Sequence, residues 1–123
     1  MPFSKLMGIK IISVTKEKIT AEMIVRPDLC TVANILHGGA MMAYADALGG
    51  IVAHLNKPEN ATSTITIESK SNFVSAAPEG SLVCAETTPI SIGKRLSVWQ
   101  TKITGANDKT IAVVTQTQLV IYP

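Results

Sequence analysis

The chain has 123 residues, 46% hydrophobic and 16% charged, with 11 basic residues against 9 acidic. That length supports one domain with its own core, without metal or disulfide staples, and the composition excludes a disordered chain, a collagen and a disulfide scaffold. A formal charge of +2, with no basic cluster longer than Lys94-Arg95, makes no electrostatic case for a nucleic-acid partner.

Cys30 and Cys84 lack zinc-site spacing and suit a reducing compartment. The opening segment leads into no long apolar stretch, because Lys5 and Lys10 interrupt it. No signal peptide and a cytoplasmic location are the expectations.

In chain order, Phe3 to Met7 reads as one helical turn ended by Gly8. Ile9, Ile11, Ile12 and Val14 are strand-like, and Lys16-Glu17-Lys18 is a polar turn. Ile19, Ala21, Met23 and Val25 alternate with Thr20 and Glu22, the period of a half-buried strand. Pro27-Asp28 ends it, and Asp28 to Leu36 is irregular.

The longest apolar stretch, Ala40 to Leu55, contains Asp46, Gly49, Gly50 and His54 and stops at Asn56-Lys57-Pro58. It is too short and too polar for a membrane span of ~17–25 residues, and reads as a buried helix starting at His37-Gly38-Gly39. Thr62 to Val74, Ser81 to Ile92, Leu96 to Thr104 and Thr110 to Ile121 are strands, with Pro89 marking an edge or bulge.

One apolar helix and five or six strands with short connections make an α+β domain, an antiparallel sheet curled around a central helix. Strand edges and part of a sheet face stay available for a partner, which predicts a symmetric dimer or larger assembly.

Asp46 is the main chemical anomaly, because every neighbour from Met41 to Leu48 is apolar or aromatic. Burying a carboxylate costs several kcal/mol unless it is paired, hydrogen-bonded or protonated, and no basic residue stands one turn away. It is either a functional acid or a carboxylate bonded to a loop or another element.

Gly38 and Gly39 are poor helix formers at a helix start. Without side chains they let a ligand atom approach the unpaired N–H groups of the first turn, where a carbonyl gaining negative charge is stabilised. The competing explanation is tight packing against a strand. Gly38 and Asp46 stand ~12 Å apart on one helix, too far to act on one carbonyl, so a site built from both needs two subunits.

His37 is either a donor to substrate or a satisfied structural group. His54 is read as facing the last helix carbonyls, and a Cys30–His37 thiol nucleophile lacks an orienting third group. Met41, Met42, Tyr44 and Leu48 are candidates to line an aryl or medium-chain pocket, although Tyr44 and Trp99 also suit a core. Lys94 and Arg95 after Gly93 suit phosphates or plain solvation.

Asn34-Ile35-Leu36-His37-Gly38-Gly39-Ala40, followed by Ala45-Asp46-Ala47, resembles hotdog-fold thioesterases of the PaaI type. The likeness runs through Thr64 to Glu68, Asn72-Phe73-Val74 and Gly93-Lys94. It implies a dimer, commonly a dimer of dimers, that hydrolyses acyl-CoA without metal or other cofactor.

On that resemblance Asp46 is nucleophile or general base, and Gly38 of the other subunit polarises the thioester carbonyl with His37 beside it. Gly39 and Met42 lie along the substrate, and Thr66 supplies a hydroxyl that places the water or the acid. Gly93, Lys94 and Arg95 lie near the CoA nucleotide. The family's usual Asn or Gln six residues before the His is Thr31 here, and Asn34 stands where Gly is usual, so Asn34 is a candidate for the missing amide. That departure motivates an alternative, a non-catalytic acyl-CoA-binding protein. A hydratase on the same fold would need a His set against an acid.

Overall fold

The computed structural model describes residues 1–123. Helix α1 (Pro2–Met7) ends at Gly8, whose φ of 79° is the left-handed conformation that terminates a helix. Strands β1 (Lys10–Val14) and β2 (Ile19–Ile24) follow, then two short 3-10 turns, Pro27–Leu29 and Val32–Asn34. The long helix α2 (Gly38–Leu55) precedes β3 (Ser63–Phe73), β4 (Leu82–Ile92), β5 (Leu96–Thr104) and β6 (Thr110–Ile121).

The six strands form one antiparallel sheet in the order β1-β2-β4-β5-β6-β3, the α+β architecture expected. Pro89 sits at a register shift in the β4–β5 ladder. Its pairing with β2 has already ended at Thr87, so its missing N–H breaks no bond on that side.

Helix α2 lies across one face of the sheet. Met41, Tyr44, Leu48 and Val52 bury one stripe of it against inward side chains such as Ile19, Val83, Trp99 and Ile103. Each fully buried side chain of this size contributes ~1.5–3 kcal/mol. Tyr44 and Trp99 are core, as one of the two expectations held: the Tyr44 hydroxyl donates to Val83 O at 3.2 Å and Trp99 Nε1 to Ser97 Oγ at 2.8 Å. Burial pushes the Tyr44 phenol above its ordinary pKa.

The sheet does not surround α2. Gly39, Met42, Asp46 and His54 are exposed, and Gly38, Ala43, Gly50 and Ile51 are half-buried, so one face of the helix is open along its length. Beside this face runs β3, an edge strand paired only to β6, with Ile65 and Ile67 each 55% exposed. No helix is long and apolar enough to cross a membrane.

Candidate active site

The start of α2 is a backbone device. His37 has an extended backbone (φ −63°, ψ 136°) and caps the helix, its Nδ1 accepting from the Gly39 N–H at 2.8 Å. An accepting Nδ1 puts the neutral ring's proton on Nε2, which faces away from the cap bond. Gly39 has no room for more: a Cβ there would stand 2.9 Å from His37 Nδ1. Because Gly39 donates to His37, Gly38 is left as the glycine N–H without an acceptor, at the positive end of an 18-residue helix.

The ring of Phe73, at the far end of β3, lies over Gly38, 3.2 Å from where a Cβ would be. Gly38, Met41, Phe73, Thr31, Ile35 and Leu36 are among the walls of a cleft of about 350 Å³. Tyr44 and Leu48 are sealed in the core, so neither lines a substrate pocket; Met41 faces the cleft and Met42 the open side of the helix.

Asp46 corrects the burial expectation. It is exposed in the protomer, because its position falls on the face of α2 that the sheet leaves open. It joins no ion pair, and Thr66 Oγ1 donates to its Oδ1 at 3.0 Å. The β3–β6 ladder shifts register between Thr66 and Glu68, a bulge of the kind that re-aims side chains beside a site.

Behind Thr66 stand two residues that the sequence reading missed. Gln116 and Gln118 on β6 are each only 1% exposed. Gln118 Nε2 donates to Thr66 Oγ1 and to Gln116 Oε1, both at 2.6 Å, while Gln116 Nε2 donates to Ala45 O at 3.0 Å. Gly49 makes room for this, since a Cβ there would overlap the Gln116 amide. The available signal was the polar run Thr115-Gln116-Thr117-Gln118 in a strand whose inward residues are otherwise apolar.

Other candidates fall elsewhere. Asn34 is exposed with φ 56°, which explains why Gly suits that position; its carbonyl accepts from Glu79 N at 2.9 Å. Its side chain makes no bond to Asp46 or Gly38. Gly93, Lys94 and Arg95 form the exposed β4–β5 turn, where Tyr122 Oη donates to Lys94 O at 2.5 Å and neither cation joins an ion pair.

His54 does not satisfy the helix end. Asn56 does, with Nδ2 donating to Val52 O at 2.8 Å and Lys16 O at 2.6 Å. Partial burial, with Glu79 and Asp28 nearby, pushes the Cys30 thiol above its ordinary pKa, away from the thiolate a nucleophile requires.

Within one chain the open Gly38 N–H and Asp46 are ~12 Å apart along α2, beyond joint reach of one carbonyl. Each is nonetheless tied to a different point on the same edge strand, Gly38 to Phe73 and Asp46 to Thr66.

A six-stranded antiparallel sheet cradling one long, glycine-started helix defines the hotdog class of folds. The model of the thioesterase superfamily matches residues 33–112. A thioesterase structure from Haemophilus influenzae superposes with a TM-score of 0.89 at 27% identity, covering 98% of this chain and 82% of that one. The 1,4-dihydroxy-2-naphthoyl-CoA hydrolase of Listeria monocytogenes is 29% identical over 114 residues, 92% of this chain and 90% of its own length.

A Streptococcus mutans structure described as bound to acetyl-CoA has the same fold, with a TM-score of 0.84 at 18% identity over 93% of this chain and 89% of that one. The chain belongs to the thioesterase superfamily, with a hotdog fold, and is a thioester hydrolase.

Proposed function

We propose that the chain acts as a single domain that hydrolyses acyl-CoA thioesters in a site shared by two copies. The observation that carries this is Asp46: an exposed carboxylate with no cation partner, on the open face of the helix whose first N–H is also open.

The edge strand supplies a way to bring the two halves together. Antiparallel pairing of β3 with a second copy, about a two-fold axis between Ser69 and Lys70, would set Thr66 of one chain beside Phe73 of the other. Asp46 would then face the partner's cleft and its Gly38 N–H. The same pairing covers Ile65 and Ile67 and satisfies the free backbone groups of the edge.

In this scheme the thioester carbonyl oxygen accepts from Gly38 N–H, with His37 Nε2–H as second donor. Both strengthen as the oxygen gains charge in the tetrahedral intermediate. The Asp46 oxygen not held by Thr66 either attacks the carbonyl carbon or takes the proton of an attacking water. The C–S bond breaks and CoA leaves as thiolate, to be protonated from solvent. Where Asp46 attacked, a water then hydrolyses the Asp46–acyl anhydride to free the acid and restore the carboxylate. Where water attacked, the acid is released directly and Asp46 returns its proton to solvent. Lys94 and Arg95 supply exposed, unpaired cations for phosphates of the nucleotide end.

The substrate in the name of the Listeria hydrolase and the acetyl-CoA bound in the Streptococcus structure are both CoA thioesters, which supports the substrate class. Thiol release over a panel of aryl and medium-chain acyl-CoAs tests the proposal. Asp46→Ala is expected to lose ~10²–10⁴ in kcat, in the range of a positioned acid or base, with its fold unchanged by circular dichroism. Undiminished turnover by that variant removes Asp46 from the chemistry.

A further inference from the structure

We propose that Gln118, with Gln116 behind it, is a positioning residue that fixes the direction of the Thr66 hydroxyl proton and so decides which oxygen of Asp46 is free to react. The proposal rests on the reading of Asp46 as the reacting carboxylate.

The orientation of each amide follows from the one before it. The Ala45 carbonyl can only accept, so the Gln116 side facing it must be Nε2, at 3.0 Å. The Gln116 oxygen is thereby turned toward β3 and requires a donor. Gln118 Nε2 supplies it at 2.6 Å and spends its second proton on Thr66 Oγ1, also at 2.6 Å. Thr66 is then an acceptor on that side, and its single proton must go elsewhere.

Two oxygens lie within range, Asp46 Oδ1 at 3.0 Å and Gln116 Oε1 at 3.5 Å. The carboxylate is both nearer and charged, which makes it the stronger acceptor, while Gln116 Oε1 is already served by Gln118. The donations therefore diverge from Gln118: one branch runs through Gln116 to the Ala45 carbonyl, the other through Thr66 to the side chain of the next residue, Asp46.

This circuit is costly to build for packing alone. Two glutamines, each 1% exposed, occupy inward positions of an antiparallel strand where valine or leucine would pack without polar atoms. Gly49, in the middle of α2, gives up helix propensity to admit the Gln116 amide. A buried hydrogen-bonded network of this kind specifies one geometry. Here the geometry it specifies is an aspartate with Oδ1 engaged and Oδ2 presented to the open face.

The test is a kinetic double-mutant cycle on the full-length protein, with an acyl-CoA that the wild type turns over. Gln118→Met keeps the length of the side chain and removes the donor. It is expected to lower kcat roughly tenfold or more, the scale of a hydrogen bond to a charged group, with KM within about threefold.

Thr66→Val should fall further, and Thr66→Ser, which keeps the hydroxyl, should stay within about threefold of wild type. The deciding prediction is that Gln118→Met combined with Thr66→Val is no slower than Thr66→Val alone, because Gln118 acts only through that hydroxyl. Additive losses, or unchanged kcat in Gln118→Met, overturn the proposal.

If Gln118→Met does not fold, Gln116→Met releases the orientation of the Gln118 amide while leaving its donor present, and the same non-additivity with Thr66→Val is required. Asp46→Ala run alongside separates the two claims. Full activity in that variant sinks the reading of Asp46 and this proposal with it. An inactive Asp46→Ala beside an unaffected Gln118→Met overturns the circuit alone.

Discussion

The two halves of the site are built in opposite ways. At Gly38 the chemistry is main chain: a free N–H, a helix dipole and a histidine cap that accepts from the N–H two residues on, all within one short segment. At Asp46 the chemistry is side chain, and its support comes from β3 and from β6, some seventy residues further along the chain. The first half depends on local backbone geometry and should tolerate distant change. The second depends on tertiary packing and should be sensitive to substitutions that never touch substrate.

Gly38→Pro sharpens that contrast most strongly. Proline at the first helical position is compatible with helix geometry, and His37 already has the extended backbone that a residue before proline adopts. The substitution removes one N–H and adds a ring toward Phe73, which lies 3.2 Å from the Cβ position and, being more than half exposed, can turn aside. A loss of ~10²–10³ in kcat is expected, with a melting temperature near that of wild type. Equal kcat would show that the helix start does not hold the oxyanion.

Gly49→Ala probes the other half with a smaller effect. The added methyl overlaps the Gln116 amide, and overpacking of this kind costs ~1–3 kcal/mol, partly offset by ~1 kcal/mol of helix propensity. Urea denaturation should show a net loss, accompanied by a fall in kcat as the Ala45–Gln116–Gln118–Thr66 circuit is displaced. A gain in stability would mean that Gln116 moves aside freely and that the circuit is loose.

The same contrast explains how much was legible beforehand. The strands from Ser63 onward, the turn at Gly8, the break at Pro89 and the helix start all rest on local signals: alternation, glycine conformations, a missing N–H. They appeared within a residue or so of where those signals put them. The exposure of Asp46 was not legible, because an apolar run does not say which face of a helix its sheet leaves uncovered. Nor were Gln116 and Gln118, whose polar side chains in a strand read as solvent-facing until the strand's neighbours are known. Tyr44 and Leu48 were candidates for the pocket for the same reason and turned out to be core.

The claim that two chains complete one site is tested most directly by complementation. Asp46→Ala and Gly38→Pro, each inactive alone, are co-expressed under separate tags and the mixed dimer is assayed for acyl-CoA hydrolysis. Random pairing makes about half of the dimers mixed, each with one intact site of two, so about a quarter of wild-type activity should return. Activity no higher than that of the parents would place Gly38 and Asp46 in separate roles and contradict the shared site.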